Sequence, residues 1–175
     1  MEEKQTYTVS IYTENNIGLL NRISAIFQRR HINIESINSS KSEIKSVSRI
    51  TLLVKITEVN MKKIIGQIEK QVEVIKAYYH LDEQIVYQES CLFKLSSDLL
   101  IDNDEIQNII NDSKTKVVNV NKEFFVLKKS GRKEEIEELY HVLEKHGIMQ
   151  FVRAGRIAIT KDKMDISSII ATYNK

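Results

Sequence analysis

The chain has 175 residues, 42% of them hydrophobic and 29% charged, with a formal net charge of +2. That length admits one medium domain or two small ones, and folding would bury roughly 70% of the unfolded surface, so no disulfide staple is needed. The near-neutral balance lacks the electrostatic footprint of a nucleic-acid binder, and no apolar run approaches the ~20 residues that span a bilayer.

The N-terminus starts acidic and lacks the basic region and apolar core of a secretory signal. Cys91 is the only cysteine, which excludes an intramolecular disulfide and points to a reduced compartment. A cytoplasmic protein is expected.

Residues 7–13 read as a strand that runs into a polar turn, after which Gly18 opens an amphipathic helix. Leu19, Leu20, Ile23, Ile26 and Phe27 recur at the spacing of one buried helical face. The chain reverses at Arg30-His31 and re-enters an extended run over 32–40. Residues 47–57, rich in β-branched side chains, form the next strand. Asn60 is the expected N-cap of a second helix, with Met61, Ile64, Ile65, Ile68 and Val72 on its apolar face. Residues 73–81 close the unit as a strand. The order is β-α-β-β-α-β, a ferredoxin-like arrangement.

Residues 89–161 repeat that order more faintly. A strand over 89–96 is followed by a helix carrying Ile106, Ile109 and Ile110, with Asp102 as its N-cap. Strands over 115–120 and 124–128 flank Asn121-Lys122-Glu123. A helix over 133–146 buries Ile136, Leu139, Tyr140 and Leu143 and ends at Gly147. Strands over 148–152 and 156–160 suggest a hairpin about Ala154-Gly155, and 165–173 a terminal helix. The expected fold class is α+β: two tandem ferredoxin-like domains, 1–82 and 89–175, joined by a linker at 83–88. A four-stranded sheet with both helices on one face leaves its other face and an edge needing cover. Dimerisation is the default expectation.

Catalytic constellations are absent from the sequence. His31, His80, His141 and His146 match no metal-ligand spacing, Cys91 has no neighbour that would lower its pKa, and no phosphate loop or nucleophile elbow is present. RNA binding would need stacking aromatics on the central strands, and Ser48-Arg49-Ile50-Thr51-Leu52-Leu53 has none.

The first strand-to-helix turn remains. A helix opened by glycine aims free N–H groups and a positive dipole end outward, where a small anion can bind. A free amino acid needs carboxylate donors, ammonium acceptors and an apolar slot. Backbone N–H groups from Ile17 through Leu20 could serve the first need. Asn15 and Asn33 could accept from the ammonium, and Leu20 with Ile34 could line the slot. The plainer alternative is that Asn15 and Gly18 only make the turn and Asn33 only bonds backbone.

The string ENNIGLLNRISAIFQRRHINIES, continued by Ser48-Arg49-Ile50-Thr51 and Gln67-Ile68-Glu69-Lys70-Gln71, resembles the regulatory (small) subunit of acetohydroxyacid synthase, also called acetolactate synthase. In the second half only Val152-Arg153-Ala154-Gly155 and the surroundings of Leu92-Phe93-Lys94 share the resemblance. It implies an N-terminal ACT domain that pairs as a homodimer, and association with a catalytic large subunit carrying thiamine diphosphate, Mg²⁺ and FAD. This chain would then be noncatalytic and hold no cofactor itself, raising its partner's activity and conferring feedback inhibition by a branched-chain amino acid, L-valine. The resemblance places that effector at the ACT dimer interface on Asn15, Gly18 and Asn33, with Leu19, Leu20 and Ile34 adjacent. Ile17 stands where the family often has proline or a small residue, and would crowd the pocket mouth. The runner-up is a stand-alone amino-acid-sensing ACT protein that regulates another enzyme.

Overall fold

A computed structural model describes residues 3–101 and 104–171, the last of these by its backbone only. The chain divides into two compact units, one of residues 1–87 with 156–175 and the other of residues 88–155.

In the first unit, β1 (Gln5–Glu14), α1 (Leu19–Gln28), β2 (Ile34–Lys41), β3 (Val47–Ile56), α2 (Glu58–Ile68) and β4 (Val74–Leu81) follow in the expected order. The strands form an antiparallel sheet in the order β2-β3-β1-β4. The core joins Tyr7, Val9 and Ile11 of β1 to Ile23, Ile26 and Phe27 of α1 and Met61, Ile64 and Ile68 of α2. These are the apolar helical stripes foreseen, and each large side chain buried there stabilises the fold by about 1.5–3 kcal/mol.

Two details of α2 differ from expectation. Its N-cap is Thr57, whose Oγ1 accepts from the Asn60 N–H at 3.4 Å. Asn60 sits one turn inside, because the extended backbone that a cap requires belongs to Thr57. Val72 is 97% exposed, since the helix ends at Ile68 and the following turn carries Val72 off the apolar stripe.

β1 is buried along both faces, so the sheet's second face is covered as well. The cover is the chain's own C-terminal segment. A single 3-10 turn, Asp82–Gln84, leads straight into β5 (Ile85–Ser96), which leaves no free linker at 83–88. The strand β9 (Ile157–Thr160) pairs with β5, and just beyond it the Lys161 N–H donates to the Gln84 carbonyl at 2.9 Å. Ile166 and Ile170 of α5 (Ile166–Ala171) form a small second core with Tyr12 and Val47. The domain boundary expected at 89–175 is corrected accordingly. The segment from Arg156 belongs with the first unit, because Arg156, Ile166 and Ile170 bury their side chains against its sheet.

The second unit contains the rest of β5, then α3 (Asp104–Asp112), β6 (Lys116–Val120), β7 (Phe124–Gly131), α4 (Lys133–Glu144) and β8 (Gln150–Arg153). Its strands lie in the order β6-β7-β5-β8, the ferredoxin-like order again. Phe93, Leu95, Ile106, Phe125, Leu127, Ile136 and Leu143 make its core. α4 ends at Glu144 with Lys145 as its C-cap, two residues before Gly147, which takes φ +79° in the turn that follows. Asp102, the cap foreseen for α3, and residues 172–173 of the terminal helix lie outside the described residues. The hairpin foreseen at Ala154-Gly155 is not formed: β8 and β9 each pair with β5.

Candidate functional site

The first strand-to-helix turn is built from few parts. Glu14 ends β1 with its N–H on the Glu73 carbonyl at 2.9 Å, and the Asn16 N–H returns to the Glu14 carbonyl at 3.0 Å. Gly18 then takes φ +83°, a left-handed conformation that costs any residue with a Cβ about 1–2 kcal/mol. Backbone, not space, demands glycine here, since an added Cβ would meet only Arg22 Nη1 at 3.7 Å. No side chain caps α1, and its first turn holds no acidic residue. Its N-terminal N–H groups have no side-chain cap, and a positive dipole end of this kind attracts small anions. Arg22 one turn along is held by Glu73 in an ion pair, so it adds little net charge.

The expected site residues separate by exposure. Asn15, Ile17 and Asn33 are exposed, Ile17 fully, while Leu20 is partly exposed. Leu19 is only 4% exposed and Ile34 packs partly on the same core. Leu19 belongs to the buried stripe of α1. Ile17 projects outward rather than into a closed pocket. β2, which Asn33 immediately precedes, is the edge of its sheet. In this chain the side chains of Asn15, Ile17, Leu20 and Asn33 are open to solvent.

Sequence reasoning missed a second constellation on the opposite sheet face. Thr8 and Ser10 are buried there, and Arg49 donates from Nη2 to Ser10 Oγ at 3.0 Å and to the Ala158 carbonyl at 2.5 Å. Arg156, 3% exposed, donates from Nη1 to Asp82 Oδ1 at 2.6 Å and to Thr8 Oγ1 at 3.0 Å, and stacks 3.8 Å over the Tyr87 ring. His80 lies beside them. Its pKa is lowered from 6.5 by burial, with Asp162 opposing the shift and Arg49 reinforcing it. The available signal was the polar row Thr8-Ser10-Tyr12 alternating with Val9-Ile11. A central strand with one polar face needs either water or a polar cover.

Among the described residues, no group of three or more His, Cys, Asp or Glu converges as a metal site, and no helix is long and apolar enough to cross a membrane. Cys91 is buried, donating from Sγ to the Lys129 carbonyl at 3.6 Å, and burial raises its thiol pKa.

Strand order and helix placement define both units as ferredoxin-like. The first is an ACT domain, since residues 9–76 match the family model described as "AHAS small subunit-like ACT domain". Residues 88–162 match the model described as "Small subunit of acetolactate synthase". The acetolactate synthase small subunit of Bacillus subtilis is 33% identical over 87% of this chain and 89% of its own length. That of Mycolicibacterium smegmatis is 30% identical over 93% and 95%. The crystal structure of the acetolactate synthase small subunit from Thermotoga maritima superposes with a TM-score of 0.82 at 26% identity, covering 91% of this chain and 99% of that one. The chain belongs to the acetolactate synthase small subunit family.

Proposed function

We propose that this chain is the noncatalytic regulatory subunit of an acetolactate synthase. It binds the catalytic large subunit, which carries the thiamine diphosphate, Mg²⁺ and FAD, raises that partner's activity, and makes it sensitive to L-valine. Family membership over nearly the whole chain supports the role. The observation that carries the site is the uncapped N-terminus of α1, flanked by exposed Ile17 and Leu20. An amino-acid carboxylate suits the free N–H groups, and a branched aliphatic side chain suits the apolar rim.

The open rim closes when two ACT domains pair through their β2 edges, as a homodimer. Asn15 and Asn33 then accept from the ligand's ammonium. Valine binds one arrangement of the pair better than another and biases the holoenzyme toward the less active state. A typical coupling of about 1–3 kcal/mol corresponds to roughly 5–150-fold in affinity.

Reconstitution and calorimetry test this reading. The catalytic subunit should gain activity on adding this chain and lose it again with L-valine. The isolated chain should bind L-valine, and Asn33→Ala should bind it at least tenfold more weakly. No activation of the large subunit would overturn the regulatory role. Equal binding by wild type and variant, or none by the wild type at millimolar valine, would overturn the site.

A further inference from the structure

We propose that the cavity between the second face of the first sheet and the chain's own C-terminal segment binds a small monocarboxylate. The cavity has a volume of ≈ 250 Å³ and lies wholly within the first unit. An apolar cavity of about 150 Å³ holds benzene, so this one takes on the order of ten non-hydrogen atoms.

Arg49 is the reason for a carboxylate. The other partly or fully buried arginines with unpartnered Nε atoms, Arg22, Arg153 and Arg156, each face a carboxylate of the protein. Arg49, half-buried on the cavity wall, has none among the described residues. Its partners are the neutral oxygens of Ser10 and Ala158 and the Tyr12 ring at 5.6 Å, and its Nε is buried with no hydrogen bond. A cation taken partly out of water without a counter-charge is costly, and a ligand carboxylate would supply one in the fork geometry that guanidinium prefers.

The remaining walls define the rest of the ligand. Met164 and Ile166 offer apolar surface, and the rings of Tyr12 and Tyr78 stand edge to face at 6.4 Å. His80 is held toward its neutral form, so it adds a polar contact without a second positive charge. Glu43 and Asp162 are exposed on the same lining. Both are screened by solvent and neither pairs with Arg49, so they weaken the hold on any anion, and most of all on a second anionic group that has no arginine of its own, which disfavours dicarboxylates and phosphate. This site is separate from the turn before α1 and does not depend on the role proposed for that turn.

Methyl-resolved NMR of the full chain, titrated with 3-methylbutanoate, methylsuccinate or inorganic phosphate, tests it. 3-Methylbutanoate should shift the Met164 and Ile166 methyl signals saturably, with a dissociation constant on the order of 1–10 mM. The other two probes should bind at least tenfold more weakly. Arg49→Gln should weaken 3-methylbutanoate at least tenfold. Because Arg49 also clips Ala158, Met164→Trp provides a second variant that fills the cavity and keeps the arginine; it should abolish the response of the Ile166 methyls. Asn33→Ala should leave it unchanged. No shift in the wild type at about 20 mM, shifts centred on the α1 turn instead, or undiminished binding by Met164→Trp would overturn the proposal and leave a solvent-filled cavity.

Discussion

Arg156 shows how much structure a single side chain can organise. It is buried, ion-paired to Asp82, hydrogen-bonded to Thr8 and stacked on Tyr87, while its backbone N–H donates to Ser36 Oγ at 3.1 Å. Asp82 is partly exposed, so water can take over part of its charge when the arginine is removed. Arg156→Ala is therefore expected to destabilise the protein by about 2 kcal/mol, through lost packing as well as lost charge, measurable by urea unfolding. His80 supplies a pH dependence. Its folded pKa lies below the unfolded 6.5, so on acidification the unfolded chain binds the proton first. The stability that neutral His80 contributes is complete above pH 6.5 and declines as the pH falls below it. Unfolding midpoints at pH 5.5 and 7.5 should differ less in His80→Gln than in the wild type.

The elements carry local rules that are separately testable. α2 begins at a true cap, so Thr57→Ala should cost about 1 kcal/mol. Asn60→Ala, inside the first turn, should change stability by less than about 0.5 kcal/mol. α1 is held by its inner stripe, and Phe27, 1% exposed, fills the centre of the first core. Phe27→Ala should cost about 3–5 kcal/mol in the same assay. β9 behaves against its own pattern. Ile157 and Ile159 are exposed while Ala158 between them is buried. The sheet face below is polar, so the strand turns its small residue inward and brings a backbone carbonyl to Arg49. Two isoleucines are left outside because that face offers hydrogen bonds rather than apolar contact.

At the scale of the whole molecule, the first unit is assembled from both ends of the sequence. A chain ending at Gly155 loses the cover over Thr8, Ser10 and Tyr12 while keeping every strand of the first sheet. Its thermal midpoint should fall further than that of Arg156→Ala, by roughly 5–15 °C, since about 1 kcal/mol moves a domain of this size by about 2–8 °C, and scanning calorimetry would resolve it. The proposed dimer is tested by sedimentation equilibrium: Ile37→Lys, which puts a charge on the exposed β2 edge, should yield monomers where the wild type gives dimers.

Much of this architecture was legible in the residues because local periods encode local structure. The β-branched run of β3, and the helical stripes of α1, α2 and α4, required only neighbours along the chain. The turn from Glu14 to Gly18 was legible for the same reason, since a glycine opening an apolar helix has few conformations available. Where the C-terminal segment goes was not. Its residues read as strand and helix, but a short strand can pair with any free edge, and its choice depends on groups far away in sequence. Arg49 and Arg156, with Asp82, Thr8 and Ser10, make that choice through contacts spanning up to 148 residues. The sequence by itself determined the elements, their order and the turn that opens α1. Only the tertiary structure decided that the chain's end returns to cover the first sheet, because burial of a polar face is a property of partners and not of periodicity.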